Sequence, residues 1–320
     1  MKFGKLYQFV VREGIEADPR GKKAVQRELE KVKISYRDLS EDEKKEFDQE
    51  KLNNPYNDTR ILYGQTDTEV RSVLAGIDID VGEILLADRL RERGDEIDLI
   101  ISHHPGGKAL AGLYEVMGMQ ADILSRVGVP ITVAEGSLSE RIREVERKLM
   151  PINHTRAQDV AALLDIPFMC VHTPADNHVA GFLQKLLDAK KPDTVEEVIK
   201  ILKSIPEYAD ASRRNAGPKV VSGETGRRAG KIFVDMTGGT EGAKDIFERL
   251  IQAGVGTVVG MHISEEHLKN VKQNNLNIVV AGHIASDTLG LNLLLDKVIK
   301  KEPSFKIVAC SGFRRIRRKT

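Results

Sequence analysis

Between Arg71 and Ser102 the chain reads Val73-Leu74-Ala75-Gly76-Ile77-Asp78, then a helix-like stretch from Gly82 to Glu92, then an apolar run from Ile97 to Ser102. This is the pattern of a βαβ unit, and no other feature constrains the fold more. A strand that returns parallel to its predecessor needs a crossover helix. Such helices cover both faces of the sheet, so the strands become continuous apolar runs instead of alternating ones. The texture continues with a helix-like segment around Leu113 to Val127, a strand from Pro130 to Ala134, helices over Glu140 to Leu149 and Thr155 to Leu164, and a strand from Ile166 to Val171. Further on, Lys231 to Asp235 predicts a strand, Glu241 to Gln252 a helix and Gly256 to His262 a strand. Asp78 to His103 spans 25 residues and Asp235 to His262 spans 27. An internal duplication and the generic grammar of βα units both account for that recurrence.

At 320 residues and 41% hydrophobic content the chain can bury one large core or two moderate ones, and two are expected. The first ~60 residues are highly charged, but Leu6, Phe9, Val10 and then Val25, Leu29, Val32 recur at helical intervals. Ser40 with Glu43 three residues later starts a further helix in the capping-box pattern. We therefore expect a helical extension over 1–56, a first α/β domain over 57–210, a linker or mobile loop over the glycine-rich 211–230, and a second α/β domain over 231–320. Apolar runs such as Asn277-Ile278-Val279-Val280 are far shorter than the ~20 residues of a membrane span, and the start lacks the pattern of a secretory signal. A cytoplasmic protein without membrane partners is expected. Cys170 and Cys310 form no ligand-spaced cluster and read as buried thiols. The net charge of +1 gives no pull toward nucleic acid, although the tail Arg314-Arg315-Ile316-Arg317-Arg318-Lys319 is basic enough to touch an anion, if it is not simply a solvated terminus.

In open α/β sheets ligands gather beyond the carboxyl ends of the strands, and there the metal-binding residue types stand. His103 and His104 follow the strand ending at Ser102. The turn-forming Pro105-Gly106-Gly107 lets both imidazoles face one cleft, each toward a different metal of a close pair. His283 and Asp287 follow Val280; on a helix their spacing of four places them within one turn. A third strand end offers His172, Asp176 and His178, among which Asp176 is the preferred bridging carboxylate and the two histidines compete for the role. His262, Glu265, Glu266 and His267 have the spacing of a metal-binding helix without the His-Glu-x-x-His order, and read as groups behind the ligands or facing substrate. Met236 to Gly242, between a strand and a helix, is either an anion-holding loop or a plain tight turn; it lacks the Walker ending. No serine-hydrolase elbow or Cys-x-x-Cys pair is present.

The order of these motifs resembles the NIF-three-like family, the GTP cyclohydrolase 1 type 2 homologues. Asn57-Asp58-Thr59-Arg60-Ile61-Leu62-Tyr63-Gly64, Ile100-Ile101-Ser102-His103-His104-Pro105, His172-Thr173-Pro174-Ala175-Asp176 and Ala281-Gly282-His283 through Asp287 carry the resemblance, from about Asn57 to Leu295. It implies metal ligation by His103, His104, Asp176, His283 and Asp287, two similar α/β domains with mixed, largely parallel sheets and the metal site in the cleft between them, and a ring-shaped homohexamer. Asp287 stands where the family has the longer Glu, Gly106-Gly107 replace bulky apolar residues, and Lys108 to Asp165 is a long separation between motifs.

The expected function is a dinuclear hydrolase using two divalent ions per chain, zinc, iron, manganese or cobalt, with His267 or His178 as the proton-moving candidate. The family name points to a small-molecule substrate, a purine nucleotide. A metal-binding oligomeric scaffold or regulatory protein without turnover, and a phosphoesterase, are the alternatives.

Overall fold

The computed structural model describes residues 1–273 and 275–318. Its strands are β1 (Arg60–Tyr63), β2 (Ser72–Gly76), β3 (Leu99–Ser102), β4 (Phe168–Cys170), β5 (Lys219–Ser222), β6 (Lys231–Asp235), β7 (Val255–Gly260), β8 (Asn277–Val280) and β9 (Lys306–Cys310). They form two sheets, ordered β1-β4-β3-β2-β9 and β5-β8-β7-β6. In each, an edge strand pairs antiparallel with the fourth strand of the unit, across a register shift, and the remaining pairs are parallel. The two halves thus share a strand order as well as a sequence rhythm, which favours duplication.

Both sheets bury both faces, as the continuous apolar runs require. Val73 and Ala75 point into the core containing the helix Phe3–Ala17 and the helix His283–Lys301, whereas Leu74 points into the core with the helices Val81–Glu92 and Arg156–Leu163. In the second sheet Val258 and Ile278 face one core, Val259 and Val279 the other. The amino-terminal helix is part of the first core, with Phe3, Leu6 and Val10 buried. The Ser40–Glu43 capping box is present at the start of Glu41–Glu46.

A long helix follows each fourth strand, Thr173–Lys190 after β4 and His283–Lys301 after β8, and the two pack on each other. They approach closely at Gly290, where a Cβ would lie 2.4 Å from the Ala175 carbonyl oxygen. Only glycine admits that contact, and it brings the first turns of the two helices together.

Four expectations need correction. The strand expected over Pro130–Ala134 is the start of the helix Ile131–Leu149: its β-branched opening reads as strand, but Ala134, Leu138, Val145 and Leu149 form one buried helical face. The helix expected from Glu241 begins only at Ile246. The span 211–230 holds the end of the helix Pro206–Arg213 and the edge strand β5, paired with β8. The basic tail is a pinned strap although Arg314 and Arg317 remain exposed: Arg314 pairs with Asp210, Arg315 with Asp296, and Arg318 Nη2 donates to both oxygens of buried Glu207 at 2.7 and 2.8 Å. Lys319 lies outside the described residues.

The last strand, β9, leaves the second half and joins β2 in parallel. At the corresponding edge of the second sheet, β6 has no such neighbour among the described residues; instead the Gln184 side chain accepts from the Val234 amide at 3.0 Å and donates to the Ile232 carbonyl at 3.2 Å. Among the described residues no helix is long and apolar enough to cross a membrane. Both cysteines are free, Cys170 buried and Cys310 half-buried.

Candidate metal centre

Where β3 ends, the His103 and His104 amides still donate to the Gly76 and Ile77 carbonyls, both at 2.9 Å, while the Ser102 hydroxyl donates to the His104 carbonyl at 2.6 Å and bends the chain. Both rings turn to the start of the two long helices. Nδ1 of His103 meets the Val171 carbonyl at 3.1 Å, Nδ1 of His104 meets Asp78 at 2.7 Å, and Nδ1 of His172 meets buried Asp58 at 2.8 Å. With Nδ1 so engaged, each Nε2 is left to face the interior, the arrangement that fixes a metal-binding imidazole.

Those inner nitrogens surround two carboxylates. His103 Nε2 lies 3.4 Å from Asp176 Oδ1 and 3.5 Å from Asp287 Oδ1; His104 Nε2 lies 3.3 Å and His283 Nε2 3.6 Å from Asp287 Oδ2; His172 Nε2 lies 3.7 Å from Asp176 Oδ2. These are long for hydrogen bonds. They are natural for two donors on one ion, since atoms ~2.1 Å from a tetrahedral cation stand roughly 3.4 Å apart. His103 Nε2, Asp176 Oδ1 and both Asp287 oxygens are buried without a hydrogen-bond partner. Orphaned buried polar atoms are costly, so four gathered in one cluster fit a site made for cations.

Three sets of donors lie within 4.8 Å of one another: His103 with Asp176 and Asp287, His104 with His283 and Asp287, and His103 with His104 and His172. Asp287 belongs to two of them, one oxygen turned to each. Asp176, the expected bridging carboxylate, turns one oxygen to His103 and the other to His172.

The electrostatics agree. Burial would push the His103 imidazole down, but Asp287 and Asp176 outweigh it and hold it well above its ordinary value. His172 is likewise raised against burial by Asp176 and Asp58. Burial would raise Asp287, yet His103 and its neighbours hold it far below the carboxylate range. The same two acids that favour positive charge on His103 would favour a cation at that point.

His172 extends the cluster that sequence reasoning assembled. Imidazole centroids run from His172 to His103 at 4.9 Å, His103 to His104 at 5.3 Å, His104 to His283 at 5.1 Å and His283 to His262 at 5.0 Å. Asp58, to which no role was assigned, also accepts from the Thr173 hydroxyl at 2.6 Å, and His172 and Thr173 hold its carboxyl low against burial. The missed signal was the repeat itself: His172 precedes Asp176 by four residues at one helix start as His283 precedes Asp287 at the other.

The two proton-moving candidates stand elsewhere. His178 is buried, its Nδ1 on the Pro174 carbonyl at 2.8 Å, its nearest charges Lys297 and Glu13, and burial lowers it to about 4. His267 is held by Ser264 at 2.6 Å, Glu241 at 3.1 Å and the Gly242 carbonyl at 3.2 Å. It braces Glu241, which does reach a small cavity of about 80 Å³ beside the cluster, lined also by Asp235, Thr237, Thr240, His262 and His283. Glu265 and Glu266 are exposed. The Met236–Gly242 loop is a turn clamped by Gln120, whose amide donates to the Gly238 and Thr240 carbonyls at 2.6 and 2.7 Å.

Among solved structures the chain is similar to a NIF3 superfamily protein from Sphaerobacter thermophilus, with 30% identity and a TM-score of 0.70 over 80% of this chain and 92% of that one. Reduced HcgD from Methanocaldococcus jannaschii shares 16% identity with a TM-score of 0.48, over 78% of this chain and 87% of that one. A Bacillus cereus protein related to NIF3 shares 14% with a TM-score of 0.42, over 79% and 90%. No family model and no curated protein matches the chain.

Proposed function

This chain belongs to the NIF3 superfamily, and from that membership and the geometry of the cluster we propose that it is a hydrolase dependent on two divalent cations. The observation that carries the reading is Asp287, buried, without a hydrogen-bond partner, and presenting one oxygen to each nest of donors. His103, Asp176 and Asp287 would hold one cation; His104, His283 and Asp287 would hold the other. Mixed imidazole and carboxylate donors suit zinc, iron, manganese or cobalt. A cation pair supplies a hydroxide near neutral pH and polarises the scissile group.

The chain's own residues do the rest. The Val171 carbonyl and Asp78 fix the His103 and His104 tautomers, and Asp58 does the same for His172. Thr237 and Thr240 border the space where a reacting group fits, and Asp235, which desolvation and the neighbouring Glu241 raise to about 6, stands there with Glu241 and His262 among the side chains able to take or return a proton. The family's association with GTP cyclohydrolase makes a purine nucleotide the first small molecule to try. Assembly as a homohexamer belongs to the same proposal and is read from the solution mass.

Elemental analysis of the purified protein is the primary test, with about two cations per chain expected. His103→Ala should lose metal and turnover while keeping the oligomeric state. With GTP, formate release marks ring opening, whereas phosphate release marks a phosphoesterase. No turnover with any divalent cation would overturn the hydrolase reading and leave a metal-binding scaffold.

A further inference from the structure

We propose that the pocket between the helix Pro206–Arg213, the first turn of the helix His283–Lys301 and the C-terminal strap binds a small organic anion, its apolar body inside and its charged group on Arg214 and Arg314. As a substrate site it rests on the metal reading above; as a binding site it stands alone. The cavity holds about 430 Å³, in the range of small-molecule sites and too small for a folded partner. Its wall is mostly apolar, with Ala211, Ala216, Met261 and Ile284, and Ile284 keeps 39% of its surface exposed although it directly follows the metal-ligand candidate His283. An exposed aliphatic side chain there gives an apolar body something to cover.

The rim carries charge that the protein does not neutralise. Arg213 meets Asp210 at 3.1 Å, Arg314 meets it at 3.6 Å, and Arg214 pairs with the same carboxylate. Glu207, also on this wall, is taken by Arg318. Among the described residues, three guanidinium groups therefore share one carboxylate; Arg214 and Arg314 line the pocket while Arg213 stands outside it, so the rim keeps an excess of positive charge. Arginine forks are suited to phosphate and carboxylate oxygens. His262 and His283 line the same pocket, so a molecule anchored on the arginines has its other end beside the imidazole cluster. The strap that brings Arg314 here is the basic tail of the sequence.

The test is calorimetric titration of the full chain, as purified and after chelation, with 1-naphthyl phosphate, 1-naphthoate, 1-naphthol and inorganic phosphate. At least one of the two aryl anions should bind about tenfold or more tightly than naphthol or inorganic phosphate, before and after chelation, because arginine holds the charge. The stronger of the two identifies the charged group as phosphate or carboxylate. Arg214→Gln with Arg314→Gln should reduce the preference to within about twofold, and the paired Lys variants, which keep the charge but not the fork, should retain more of it than the Gln pair, which separates lost charge from lost folding. Equal binding of naphthol, a preference unchanged in the Gln variant, or a preference that vanishes on chelation would each overturn the proposal. Protein that keeps the preference but holds no metal as purified, and turns nothing over with any added divalent cation, would sink the hydrolase reading alone; metal-loaded protein without the preference would sink the pocket alone.

Discussion

At the scale of single residues, Asp287 and Asp176 are both buried acids, but they have unequal roles. Asp287→Asn removes the charge both nests share and should weaken both cations, whereas Asp176→Asn should weaken one. Metal content after dialysis against a mild chelator distinguishes them, and equal loss in the two variants would contradict the shared-carboxylate geometry. His178 gives a prediction about pH. Burial lowers its folded-state value to about 4, and the unfolded imidazole titrates near ~6.5. Between these values the unfolded chain binds the extra proton, so this residue's share of stability is complete above ~6.5 and falls by up to about 3 kcal/mol as the pH drops toward 4. Denaturant titrations of the wild type and His178→Leu should show the variant losing this part of the acid dependence. The ligand histidines were legible because strand ends advertise them. Asp58 was not, because it acts through His172, 114 residues away.

Among the elements, the crossing of the two long helices sets the metal centre. Gly290 stands three residues after Asp287 and touches the Ala175 carbonyl next to Asp176, so it controls how near the two carboxylates come. Gly290→Ala should cost about 1–3 kcal/mol through overpacking and should also lower metal affinity; a variant that loses stability with unchanged metal binding would separate the crossing from the site. The buried parallel strands β2, β6 and β8 could be read from their apolar runs, since burial on both faces leaves an unbroken signal. The start of the helix Ile131–Leu149 could not, because its local β-branched preference is overridden by a face that only tertiary packing rewards. β5 was hidden for a similar reason: a four-residue edge strand in a glycine-rich stretch gains its identity from its partner β8, far away in sequence.

For the whole molecule, the C-terminal segment ties the halves together, joining β2 through β9 and then crossing to buried Glu207 through Arg318. Arg318→Ala leaves that carboxylate without its guanidinium partner and should cost about 2–3 kcal/mol in a denaturant titration, less than a fully buried pair because Arg318 keeps 25% of its side chain exposed. Pairing between residues 72–76 and 306–310 has no local signature, so no reading of periodicity would have placed the last strand in the first sheet. It also orders the events of synthesis. A chain emerging from the ribosome can assemble its later half while β2 still shows a bare edge, so the part translated earliest is finished last, and nascent or prematurely terminated chains carry an adhesive strand that the released protein conceals.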